Sequence, residues 1–241
     1  MEGRPSPDTA LPRSPRRAAL ALALLIPAPT IGILFAIVYF PNAFFGKVVY
    51  ALCKIWLLAL PAAWHVRVDG EKLAPSRPSR RGMPSGVVSG LVVSAVIVIA
   101  YLAVGASLID TASLREKVHA LGLRTPFLFV AGSVYGVLVN SLLEEYVWRW
   151  FVVRQFERLM SARAAVVASA LAFTLHHVVV LFVYVPAEVA VISSCGVFAG
   201  GLLWSWLYER TRSLWPCYVS HAMVDAAIMG VGYHLVFGGG M

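Results

Sequence analysis

Charge is scarce in this sequence. Asp, Glu, Lys and Arg make up 13% of its 241 residues, against 59% hydrophobic residues and a mean hydropathy of +0.77. That balance excludes a water-soluble domain, because a chain of this length cannot bury so much apolar surface in one core. Cysteine is scarce too. Cys53, Cys195 and Cys217 lie within or at the edge of apolar runs, without metal-ligand spacing. This excludes a cysteine-based metal site and leaves packing as their reading. There is no tandem repeat, no low-complexity segment and no linker dividing the chain. A basic stripe with interleaved aromatics is also absent, which excludes nucleic-acid binding despite a net charge of +8.

What the chain does have is long apolar runs, each near the length of about 20 residues that crosses a bilayer as a helix. They predict spans at about 18–39, 44–64, 86–109, 127–150, 164–184, 187–208 and 215–237. The expected fold is all-α: a polytopic transmembrane bundle of about seven spans, with six to eight as the range. Residues 1–17, rich in Pro and Arg, read as a disordered basic tail. The first apolar run is too long for a signal-peptide core and reads as an uncleaved anchor. Residues 18–109 form an N-terminal group of three spans, and 125–238 a second group. Residues 110–125, mixed in charge, are expected along the membrane interface.

Basic residues are distributed unevenly. Seven spans place fifteen Lys and Arg on one side and four on the other, with Lys54 inside the second span. The positive-inside rule then puts the N-terminus in the cytoplasm. Two small-residue pairs, Gly132 with Gly136 and Gly196 with Gly200, have the spacing that lets membrane helices approach closely.

Ionisable groups inside spans are costly and face partners or water-filled cavities. Three clusters occur. Glu144-Glu145-Tyr146-Val147-Trp148-Arg149 ends the fourth span. Glu145 and Arg149 share a helix face and can pair. Glu144 is turned about 100° away, and reads either as a general base held away from water or as half of an interfacial acidic pair. Phe173-Thr174-Leu175-His176-His177 lies in the fifth span. Phe173 and His177 share a face, whereas His176 points elsewhere. In the seventh span, His221 and Asp225 stand four apart. The three clusters either build one polar site or are separate accommodations. One site is more economical, because polar groups in hydrocarbon satisfy one another.

Glu-Glu-x-x-x-Arg, then Phe-x-x-x-His, then His-x-x-x-Asp, in that order over roughly residues 125–235, resembles the CPBP family. These are the CAAX-protease and bacteriocin-processing intramembrane proteases, among them the Ras-converting CAAX endopeptidase. The resemblance implies a catalytic cavity within the later helices and hydrolysis of a peptide bond by glutamate-activated water. It implies Glu144 as general base and His177 as the residue that orients or activates the water. His221 and Asp225 would stabilise the oxyanion, with Glu145, Arg149 and Phe173 in support. Asparagine is common at the Asp225 position. An ionised aspartate cannot donate a hydrogen bond, so Asp225 acts either protonated or by orienting His221.

No cofactor is expected. Two His and a Glu can hold zinc, but there is no His-Glu-x-x-His pair and the glutamate mechanism needs no metal. The expected partners are the lipid bilayer and a membrane-anchored protein or peptide. Its reactive end would be a prenylated C-terminus, a bacteriocin leader or a C-terminal sorting signal. The compact sequence, rich in Ala and Arg, suggests a bacterial inner membrane. The alternative function is a non-catalytic peptide-binding scaffold or a bacteriocin immunity factor. A coupled transporter would show inverted repeats or matched broken spans, and neither is found. His177 lies fourteen residues beyond Arg163, or about 21 Å of helix, so the fifth helix must begin early or tilt to bring it to Glu144.

Overall fold

The structure, a computed structural model, describes residues 14–238 apart from 42, 73–75, 79 and 81. Eight helices and no strand occur among them: α1 Pro15–Tyr39, α2 Phe44–Arg67, α3 Met83–Gly105, α4 Thr111–Ala120, α5 Pro126–Phe156, α6 Ala162–Tyr184, α7 Ala187–Thr211 and α8 Leu214–Phe237. All but α4 and α8 are long and apolar enough to cross a membrane, giving six spans by that measure. The expected seventh span is present as α8, 24 residues long. His221, Asp225 and His234 make it more polar than the other six. The outer surface is apolar, with Phe44 82% and Phe127 78% exposed, as lipid contact requires and water would penalise. Helix α1 takes in Pro15, Arg16 and Arg17, which the sequence places at the end of the tail. The rest of the expected tail, residues 1–13, lies outside the described residues.

Close helix contacts fall elsewhere than the two small-residue pairs suggest. A Cβ on Gly86 would lie 2.8 Å from Pro216 Cα, and one on Gly90 3.0 Å from Ser220 Cα. These glycines seat α3 against the first half of α8. Gly196, by contrast, would meet nothing within 4 Å, and Gly200 only the Trp204 ring of its own helix. Spacing marks a smooth helix face but does not say which face a partner covers. Gly86→Val should therefore lower the melting temperature in detergent, at a cost of about 1–3 kcal/mol for overpacking. Gly196→Val should leave it unchanged.

Helix α5 is wound loosely in two places. Wide π-type turns at Gly136–Asn140 and Tyr146–Val153 flank the ordinary helical stretch Ser141–Glu145. Such turns re-aim side chains and are frequent at functional sites. The helix also runs on to Phe156, past the expected end near Trp150. Arg149, expected near the end of the fourth span, is fully buried. Glu144 therefore lies twelve residues, or about 18 Å, from the end of its helix, and His177 a similar distance from the start of α6 at Ala162. The depth mismatch shrinks to three residues, or about 4–5 Å of helix.

Ionic contacts fasten the ends of the bundle. Arg158 grips Asp69 with both terminal nitrogens at 2.7 and 2.9 Å, and Arg154 reaches Glu71 at 2.9 Å. At the opposite ends of the helices, Asp110 caps α4 by accepting from the Ala112 and Ser113 amides. From α4, Arg115 and Lys117 donate to the Val236 and Val183 carbonyls, each at 2.8 Å. A cation suits these positions because the last carbonyls of α8 and α6 lack helical partners.

Candidate active site

The three polar clusters meet. His221 on α8 lies between both glutamates of α5. Its Nδ1–H donates to Glu145 Oε1 at 2.8 Å, and its Nε2 faces Glu144 Oε2 at 3.7 Å and Asp225 Oδ2 at 3.5 Å. The 100° offset between Glu144 and Glu145 thus serves the two nitrogens of one ring. Asp225 accepts from Ser141 Oγ on α5 at 2.5 Å, a cross-helix partner that sits one turn before Glu145. Glu145 and Arg149 form the expected pair, 3.3 Å apart, both fully buried.

Aromatic residues hold this cluster in shape. Trp204 of α7 stacks on His221 at 3.9 Å and donates from Nε1 to Ser220 Oγ at 3.0 Å. The Arg149 guanidinium lies over Phe173 at 4.6 Å and over Trp204 at 5.3 Å. It has no hydrogen-bond partner for its nitrogens, so the ring faces supply what hydration would. Phe173 also touches the His177 ring, 4.5 Å between centroids, and its carbonyl accepts from His177 Nδ1–H at 2.9 Å. That bond fixes the tautomer and leaves Nε2 of His177 with its lone pair. Trp204 escaped the sequence reading, since an aromatic residue in a span carries no sign of its neighbour.

His176 requires a correction. Placed away from the site by its helical position, it lies inside the cluster instead. Its ring is 4.0 Å from that of His177, and donor atoms of Glu144, His176 and His177 all fall within 4.8 Å of one another. The carboxylate sits over the boundary between two adjacent helix positions, so both imidazoles reach it. Trp148 stacks beneath His176 at 5.5 Å.

A metal can be weighed on these donors. One carboxylate and two imidazoles form a zinc-binding set, and buried His176 Nδ1 has no hydrogen-bond partner. The residues fit. Zinc held by Glu144, His176 and His177 would acidify a bound water, at the cost of making Glu144 a ligand.

Lys54 also has an explanation. Its Nζ donates to Asn140 Oδ1 at 2.8 Å, and Asn140 Nδ2 donates to Glu144 Oε1 at 2.9 Å. Glu144 keeps 14% of its side chain exposed and Asp225 22%, whereas His221 keeps 3% and Glu145 none. Glu144 and Asp225 are thus the partly exposed carboxyls of the cluster, and Glu145 the buried one.

Residues 125–227 match the family described as "Type II CAAX prenyl endopeptidase Rce1-like". The match covers 103 of the 241 residues and is a similarity over that stretch. The match takes in Glu144, Glu145, Arg149, Phe173, His177, His221 and Asp225, and leaves out α1 to α4 and the end of α8. No curated protein and no solved structure matches the chain. The family is one of membrane proteases, and the six apolar helices make this chain an integral membrane protein.

Proposed function

We propose that the protein is an intramembrane endopeptidase that cleaves a peptide bond near the membrane-anchored end of its substrate. The observation that carries this reading is Glu144. It is partly exposed, with one oxygen held by Asn140 and the other turned toward His221 Nε2. Oε2 takes one proton of a water that attacks the scissile carbonyl, while the water's other O–H donates a hydrogen bond to Nε2 of His177, which aligns it. Charge then develops on the carbonyl oxygen. His221 Nε2, once protonated, and a protonated Asp225 are the donors that meet it, and such donors are worth most away from bulk water. As the C–N bond then breaks, Oε2 passes the proton to the leaving amine nitrogen. Glu145 holds the His221 ring at Nδ1. The site works without a metal. We place the protein in a bacterial inner membrane with its N-terminus in the cytoplasm, in keeping with the distribution of basic residues.

The test is hydrolysis of a quenched fluorogenic, farnesylated CAAX peptide by the protein in proteoliposomes. Leader and C-terminal sorting peptides are tried in parallel. Mass spectrometry should show a single hydrolysed bond on the C-terminal side of the lipidated cysteine, and intact peptides of all three classes would overturn the reading. 1,10-Phenanthroline should leave the rate unchanged. Loss of activity restored by zinc would instead make Glu144 a ligand.

A further inference from the structure

The proposed base does not stand alone, and what holds it comes from outside the stretch that matches the family. Lys54 belongs to α2, in the N-terminal half of the chain. It is a cation inside a span, where charge is costly and marks a polar partner. Its contacts are the Asn140 amide oxygen at 2.8 Å and the Tyr50 ring at 5.6 Å. No carboxylate lies in ion-pair range of it among the described residues. Asn140 closes the wide turn that precedes Ser141–Glu145.

The chemistry of the three groups gives this chain a direction. A lysine ammonium has donors only. It therefore requires the oxygen of the Asn140 amide, which removes the usual ambiguity about which way such an amide points. The NH₂ group must then face Glu144, and Oε1 of Glu144 must accept. One carboxylate oxygen is thereby committed, and Oε2 is left toward the His221 ring. We propose that Lys54 and Asn140 are positioning residues, a relay from α2 that locks the Asn140 amide and so fixes which oxygen of Glu144 meets the water. The relay rests on Glu144 being the base. It gives the N-terminal spans a part in the chemistry carried by α5, α6 and α8. Without Lys54 the Asn140 oxygen loses its donor, and the amide loses the anchor that holds its NH₂ group against Glu144.

A purely structural role predicts the opposite cost. A lone cation in a span is expensive, so Lys54→Met should leave the melting temperature equal or higher while slowing catalysis. With the farnesylated CAAX peptide in proteoliposomes, Lys54→Met should lower kcat by about ten- to a hundredfold, the scale of a misplaced catalytic group, with KM little changed. Lys54→Arg, also donor-only, should recover most of it. Asn140→Ser breaks the same link from α5 and should match Lys54→Met, keeping the test open if that variant misfolds. A second measurement needs no substrate. The infrared carboxylate band assigned to Glu144 by its loss in Glu144→Gln should move in Lys54→Met and return in Lys54→Arg. An unmoved band with unchanged kcat overturns the relay, and so does a rise in KM alone, which would make Lys54 a substrate contact. If Glu144→Gln cleaves as fast as the native protein, the assignment of the base falls instead.

Discussion

Replacing Glu144 with Gln leaves a protein that inserts, folds and binds its peptide, but cleaves it more slowly by about a hundred- to ten-thousandfold, the contribution of a positioned general base. The substitution is conservative in shape. Gln keeps an Oε1 that accepts from Asn140 Nδ2, so the 2.9 Å contact survives, and the amide still fits beside the His221 ring. What it removes is the ability to take a proton from water. The loss should appear in kcat with KM nearly constant, because the carboxylate acts in the transition state and not in holding the peptide. A circular-dichroism melt matching the native protein separates this from misfolding. Retained cleavage would remove Glu144 from the mechanism. The scaffold reading, in which the same cluster binds a peptide without cutting it, would instead be favoured by a native protein that binds the peptide and leaves it intact. His177→Ala should cost less, since the ring aligns the water while Glu144 still takes the proton.

Much of this architecture could be read from apolar runs alone. The seven expected spans all correspond to helices, because about 20 apolar residues in hydrocarbon have only the helix in which to satisfy their backbone. The pairing of Glu145 with Arg149 follows from helical spacing, and the structure shows it. Contacts between helices were less legible. Helical spacing pairs His221 with Asp225 on its own helix, yet its shortest bond is to Glu145 on α5 at 2.8 Å, and spacing along one helix is silent about another. The full burial of Arg149 is not legible either, since a buried arginine without hydrogen-bond partners cannot be foreseen unless the rings beneath it are known. The wide turns of α5 leave no trace in the hydrophobic pattern. Asn140 did leave one. It is a polar residue in an apolar run, four before Glu144, and that spacing is enough to suggest a hydrogen bond along the helix.

Arg149→Met should be the most destabilising change in the molecule. Arg149 and Glu145 are both fully buried, and removing the cation leaves the carboxylate with the His221 Nδ1–H as its polar partner. Breaking a buried pair from one side costs about 3–5 kcal/mol, enough to abolish folded protein on purification. Replacing both partners is a different experiment. In Glu145→Leu with Arg149→Met no charge is stranded, and the new side chains pack against Phe173 and Trp204, which the guanidinium covers in the native protein. Stability should return to near the native value or exceed it. Activity should not return, because His221 loses the acceptor that fixes its ring and tautomer. Size-exclusion chromatography and a melt report the first effect, and peptide cleavage the second. A double variant that folds and cleaves normally would make the pair a packing device, with the stacked Trp204 ring alone setting the orientation of His221. One that fails to fold would show that the ion pair specifies how α5, α7 and α8 come together, a burden on Glu145 separate from its hold on the imidazole.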